Sequence, residues 1–336
     1  MKRNNVIDIM KGLCILAVVN QHALTEKFLD TIATVKVFNV TTSFNMMVFM
    51  LVAGYFSYGR VGNGQWALSK SIRWIIPILI SLPLYWYFRY NDQPFGTWMA
   101  NSIVEGFTGM ILWFLWCLSL CYPVGYILEK IKLPFTIKIV ALILFLAFIP
   151  VYPLGIKYLK WYGLFYFIGY GLKYYLTKYQ SRWIRMSVYS SVVIFPILIY
   201  FTNGMTSYNN IDYGYLGFTI IDKAVFNGYG YLVGIMFGVA VFGVMFTYSM
   251  AKLLDKMKYL NKVLAYIGNA SAGILLIHYF FIQTVNIYPL SAFAAVVISL
   301  ILYELLHRVK ILDALLFGNP YLVNGLVKRY GAVSSV

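Results

Sequence analysis

Apolar runs of about twenty residues recur from one end of this chain to the other, the length an α-helix needs to cross a hydrocarbon core. A bilayer holds no water to satisfy backbone N–H and C=O groups, so such runs form helices, which satisfy their own. Ten stretches qualify: 6–24, 40–58, 71–90, 110–128, 134–150, 161–177, 184–201, 229–250, 265–282 and 286–306. With 61% hydrophobic and only 11% charged residues across 336 positions, and a mean hydropathy of +0.74, the chain is too apolar for a soluble protein. The expected fold is all-α: a single domain over 1–336, built as a polytopic membrane bundle of about ten transmembrane helices.

The cations give the bundle a direction. With the N-terminus taken as inside, only Lys27, Lys36, Arg89, Lys157, Lys160 and Lys223 fall in segments on the opposite side, and Lys11 lies within the first span. Every other Lys and Arg, from Lys2 and Arg3 to Lys328 and Arg329, gathers on one side, and the positive-inside rule puts both termini in the cytoplasm. The formal charge of +16 therefore reports topology and attraction to anionic lipid. Because the cations are spread over alternate loops and form no basic ribbon, no nucleic-acid partner is expected. The N-terminal run imitates a signal peptide, but Lys11 interrupts it and no small-residue cleavage site follows, so it is expected to be retained.

Ionisable groups inside a span are costly and by default mark function. Lys11 and His22 both fall in the first run, and eleven positions at about 100° per residue end only ~20° past three full turns. They share one helix face, about 16 Å apart along the axis, one low in the span and one high. An interfacial residue at the span's end is the competing reading of His22. Asp8, three residues before Lys11, is spaced to pair with it and hold it near the cytoplasmic mouth; a purely structural bridge is the alternative. His278, near the outer end of the ninth span, either faces His22 across a cavity as a second polar anchor or satisfies a nearby backbone group. Glu304, His307 and Arg308 stand at helical spacing on the inner end of the last span and read as a structural cluster.

Cys14, Cys117 and Cys121 lie in apolar runs and read as small buried hydrophobes, and His22, His278 and His307 lack metal-ligand spacing, so no metal is expected. The longest connection, roughly 202–228, contains TSYNNIDYGYLGF, and a long aperiodic loop is uncommon unless functional. Its Tyr208, Tyr213 and Tyr215 offer flat amphipathic surfaces, and Asn209, Asn210 and Asp212 offer hydrogen bonds, which suits a carbohydrate acceptor. An interfacial aromatic belt with turn residues explains the same composition.

The stretch NVIDIMKGLCILAVVNQHA at 5–23 resembles the first-span signature of the acyltransferase-3 membrane proteins, particularly the branch related to fucose 4-O-acetylases. FNMMVFMLVAGYFSYG at 44–59 resembles the family's second-span pattern, and KSIRWIIP at 70–77 the basic pair and proline that open its third. ILWFLWCL at 111–118 and GNASAGILLIHYFF at 268–281 are similar to later signatures, in the family's order. Members transfer acyl groups, commonly acetyl from acetyl-CoA, onto hydroxyls of surface polysaccharides or their lipid-linked precursors, and the resemblance implies that activity here. Lys11 stands where many relatives carry Arg, and Lys70 with Arg73 where many carry two arginines; lysine keeps the charge but loses the planar fork that grips phosphate. No soluble esterase-like domain of the kind found in some relatives is expected, so transfer falls to the membrane domain or a separate partner.

Ester formation from a hydroxyl and a thioester needs a base for the hydroxyl proton, and neutral imidazole suits that work near neutral pH. On this chemistry His22 is the candidate base, grouped with Asp8 and His278. Lys11, Lys70 and Arg73 are the cations placed to meet CoA phosphates, with ordinary positive-inside anchoring the other reading of Lys70 and Arg73. Tyr208, Asp212, Tyr213 and Trp113 are the candidate acceptor or acyl contacts, although Trp113 and Phe114 also fit plain interfacial packing. No serine or cysteine has a nucleophile-plus-base arrangement, so direct transfer is expected. The expected setting is a bacterial cytoplasmic membrane, with acetyl-CoA, a glycan or lipid-linked sugar and the bilayer as partners. A flippase or transporter for a lipid-linked sugar, or a noncatalytic subunit of a polysaccharide assembly complex, also places polar groups in a helical bundle. Only an acyltransferase needs His22 to accept a proton.

Overall fold

The structure, a computed structural model, describes residues 4–27, 32–104, 112–148, 158–178, 182–202, 230–282 and 285–319. These residues form helices and connecting turns, with no strand among them. In chain order come α1 (Asn5–Lys27), α2 (Ile32–Thr42), α3 (Asn45–Ser57), α4 (Gly64–Arg89), α5 (Phe95–Val104), α6 (Leu112–Lys130) and α7 (Phe135–Phe148). A π-helical turn, Leu159–Gly163, leads into α8 (Leu164–Lys178), followed by α9 (Arg182–Thr202) and α10 (Gly230–Leu254). Then come α11 (Leu260–Asn269), α12 (Ser271–Ile277), α13 (Leu290–His307) and α14 (Lys310–Phe317).

Six helical stretches among the described residues are long and apolar enough to cross a membrane: Asn5–Thr25, Ala33–Ser57, Gly64–Arg89, Leu112–Lys130, Gly234–Leu254 and Leu290–His307. The α11–α12 pair makes a seventh when its halves count as one span. Near 134–150 and 184–201 the apolar helices are shorter, Phe135–Phe145 and Met186–Thr202, and over 161–177 the chain is helical through the π-turn and the 15 residues of α8. Outward faces are apolar: Phe88, Phe145, Phe201 and Phe293 are 62%, 63%, 78% and 67% exposed. Phenyl rings so displayed are stable against hydrocarbon and unfavourable in water.

Lipid tails are as apolar as the helices they solvate, so helices in a bilayer associate through close packing, and small residues permit it. α1 crosses α11 where Gly268 lies directly on the Asp8 carbonyl and the Gly12 amide, and Gly12 on the Leu264 carbonyl; neither position has room for a Cβ. Gly54 against the Tyr166 carbonyl and Gly169 against the Leu51 carbonyl make an equivalent crossing of α3 with α8. Tyr85, Phe165, Tyr166 and Phe167, all fully buried, fill the remaining interior.

Three departures from straight, full-length helices place the polar residues. Thr41, Thr42 and Ser43 turn their hydroxyls onto carbonyls of the preceding turn, contacts that bend helices, and α2 gives way to α3 just beyond them. The 265–282 stretch, expected as one span, is bent by 63° at the junction of α11 and α12. Its Gly-Asn-Ala-Ser-Ala-Gly sequence is weakly helical, because Asn and Ser compete for backbone groups and each Gly costs about 1 kcal/mol relative to Ala. The bend lets α11 follow the Asp8 half of α1 while α12 leads to the His22 half. Finally, Asn63 caps α4 by accepting from the Trp66 amide at 3.1 Å, so the helix starts at Gly64 and not near 71. Lys70 and Arg73, expected at the helix opening, are thereby about two turns inside it.

Candidate active site

Asn20, Gln21 and His22 are consecutive on α1, and at about 100° per residue they point to three different neighbours. Asn20 accepts from the Tyr288 hydroxyl at 3.0 Å, ahead of α13. Gln21 accepts from Asn45 Nδ2 at 2.9 Å, a buried amide at the start of α3, just after the break before it. His22 meets His278, with His22 Nδ1 2.9 Å from His278 Nε2. One polar turn of α1 thus ties together helices from the beginning and the end of the chain.

The second nitrogen of His278 fixes the direction of the pair. His278 Nδ1 is 2.7 Å from the Ile274 carbonyl, which only accepts, so Nδ1 carries a proton. In a neutral ring Nε2 then has the lone pair, and the His22 Nδ1–H donates to it. His22 is left with an unprotonated Nε2, the atom a general base uses. His278 is fully buried whereas His22 is only partly so, which leaves the His22 ring accessible and its partner enclosed. The two rings lie 5.1 Å apart, and the edge of Tyr279 closes on His22 with centroids 5.7 Å apart.

Near the other end of α1, Lys11 Nζ is 2.7 Å from Asp8 Oδ1, the pairing their spacing suggests. Asn5 bonds to the Asp255 carboxylate after α10. Lys70 and Arg73 sit against a different element. α14 packs on α4, and its C-terminal Gly318, at φ +66, lies on the Arg73 carbonyl, leaving no space for a larger residue. Lys70 has the cations Arg73 and Arg60 as neighbours; Arg73 has the Tyr122 phenol and the Asp313 carboxylate. The guanidinium carbon of Arg73 is 5.5 Å from the Trp74 ring, and its buried Nε has no hydrogen-bond partner among the described residues. Three cations close together, one with an unsatisfied guanidinium nitrogen, suit a phosphate group even with the Asp313 carboxylate nearby.

Other residues singled out in the sequence fall elsewhere. Trp113, in the first turn of α6, packs against Tyr158 and Tyr162 with ring centroids 4.5 and 4.6 Å away. Tyr208, Asp212 and Tyr213 lie outside the described residues. Glu304 and His307 do not form one cluster: Tyr266 donates to Glu304 at 2.6 Å, while His307 pairs with Asp313 at 2.6 Å and Asn319 bonds to the same carboxylate. Cys14, Cys117 and Cys121 are buried free thiols. Sequence reasoning passed over Asn20, Gln21 and Asn45, although polar amides inside apolar runs are the same signal that marked His22. Tyr85, Arg89 and Tyr279 carried no such signal, because aromatic rings and a cation at a span's end are ordinary there.

The chain belongs to the acyltransferase-3 family: the family profile, described as an acyltransferase domain, matches residues 4–305. Membership together with the lipid-facing helices marks a membrane acyltransferase. Comparison with curated proteins and with solved structures gives no significant match.

Proposed function

We propose that this acyltransferase moves acetyl from acetyl-CoA to a hydroxyl of a cell-surface polysaccharide or its lipid-linked precursor, as in the fucose 4-O-acetylase-like branch it resembles, in a bacterial cytoplasmic membrane. The donor docks its phosphates at Lys70 and Arg73, on the cytoplasmic side by the positive-inside rule, and its long arm reaches towards His22. The observation that carries the reading is the chain from His22 Nδ1 through His278 to the Ile274 carbonyl, which supports His22 Nε2 as the base. His22 Nε2 takes the hydroxyl proton as the acceptor oxygen attacks the thioester carbon. As the C–S bond breaks, the CoA sulfur leaves with the bonding pair and recovers that proton, giving an ester and free CoA. Positive charge forming on His22 is shared, since its Nδ1 proton can pass to His278 Nε2.

Purified protein in proteoliposomes, given labelled acetyl-CoA and a glycan acceptor, tests this. The expected result is alkali-labile label on the glycan that requires both substrates. Unlabelled glycan accompanied by movement of lipid-linked sugar across the bilayer would favour the flippase reading instead.

A further inference from the structure

Tyr85, one turn before the C-terminal end of α4, is fully buried, and its hydroxyl has no hydrogen-bond partner among the described residues. Leaving a buried donor unsatisfied costs about 1–3 kcal/mol, so such a group is explained by a partner that arrives with a ligand. The ionisable groups acting on it among the described residues are Tyr279, Tyr90 and Arg89, two phenols and a cation. Arg89 is held in place, its guanidinium carbon 4.3 Å from the centre of the Tyr279 ring and its Nη2 donating to the Tyr279 carbonyl at 3.3 Å. Tyr85 stacks on that same ring with centroids 5.9 Å apart, and His22 meets its edge. The Tyr85 ring, a fixed guanidinium and the His22 ring therefore all border Tyr279.

We infer that this end of α4 is an anion-binding subsite, and that it takes an oxyanion carried by the acceptor itself, next to the sugar hydroxyl presented to His22. The inference rests on the acyl-transfer reading above and specifies its acceptor. Arg89 in the last turn of a helix also complements the helix dipole, but that role does not require the buried Tyr85 hydroxyl beside it. A guanidinium with a buried phenolic donor nearby matches phosphate or carboxylate chemistry. Its place at the end of a membrane-crossing helix is the level at which a phosphodiester joining sugar to lipid would lie. One aromatic ring separates the subsite from the base, so a sugar bridging them would hold its charge at Arg89 and its hydroxyl at His22.

The test compares an octyl glycoside, the same octyl glycoside joined through a phosphodiester, and an octyl uronate, each for equilibrium binding and acetylation in nanodiscs of zwitterionic lipid. The phosphodiester or the uronate should bind at least about tenfold tighter than the neutral glycoside, and whichever does so identifies the anion. Arg89→Gln should remove most of that advantage and Tyr85→Phe, which keeps the ring, a smaller part, with neutral-probe binding unchanged. If Arg89→Gln does not fold, Arg89→Lys decides, since it keeps the charge and loses the fork; a partial loss supports the subsite and an undiminished advantage overturns it. Equal binding of charged and neutral probes, or an advantage untouched by these variants, also overturns it. So does competition by phosphatidylglycerol as strong as that of the charged probe, which would make this a lipid headgroup site. Absence of acetylation with the binding preference intact would count against the proposed function and leave the subsite standing.

Discussion

His278 Nε2 and His22 Nδ1 stand 2.9 Å apart, so two rings 256 positions apart in the chain share one hydrogen-bond chain that ends on the Ile274 carbonyl. In the proposed mechanism their roles differ: His22 presents Nε2 to the reaction, and His278 orients it and can share its proton.

Replacing the partner should therefore slow transfer by degrees. His278→Gln still offers an oxygen to the His22 Nδ1–H but cannot take up the proton, whereas His278→Leu offers neither. We expect kcat to fall about tenfold for Gln and about a hundredfold for Leu, with KM for both substrates little changed. Steady-state kinetics at saturating acetyl-CoA and glycan measure this, and a folded Leu variant with wild-type kcat would remove His278 from the mechanism.

Arg73→Ala should weaken acetyl-CoA binding about tenfold or more, since a charge-assisted phosphate contact is worth about 1.5–3 kcal/mol, and leave acceptor binding unchanged. Donor titrations read it directly. Unchanged donor affinity would make Arg73 an anchor that packs beneath α14.

The helix crossings predict a contrast between glycines. At Gly268 an added Cβ meets backbone atoms of Asp8 and Gly12, which cannot swing aside, whereas at Gly238 of α10 it meets nothing within 4 Å. Gly268→Ala should destabilise by about 1–3 kcal/mol or more, and Gly238→Ala should be neutral or gain up to about 1 kcal/mol from helix propensity. Thermal unfolding in detergent distinguishes them; equal melting temperatures would refute the close crossing of α1 and α11.

What the sequence made visible was local. Lys11, His22 and Asp8 share one helix, so the 3.6-residue repeat alone relates them, and the Asp8–Lys11 contact follows from it. His278 was legible as a polar anchor that either faced His22 across a cavity or satisfied a backbone group, though not as its direct hydrogen-bond partner. That contact depends on the bend near Ala270, which arises from weak helix formers together with the Gly268 crossing on α1, a long-range fact. Helical spacing grouped Glu304 with His307, but Tyr266 and Asp313, from other helices, claim them separately. Tyr85 looked like one apolar ring among many until the fold set it beside Arg89 and Tyr279.

The cation distribution predicts a topology that labelling can check. A single cysteine at exposed Gln93, in the turn after α4, should react with an impermeant thiol reagent only from outside, and one at exposed Lys258 only from inside, in a background lacking the native cysteines. The reverse pattern would place the donor site on the wrong side of the membrane.

The most direct test of the central claim is the rate of glycan acetylation by His22 variants at saturating acetyl-CoA and acceptor. His22→Ala and His22→Gln should insert and express normally, because neither disturbs an apolar helix greatly, yet both should lose transfer by about 10²–10⁴-fold, since an amide cannot serve as a general base. Near-wild-type rates from either folded variant would contradict the account, and His22 would not be the base.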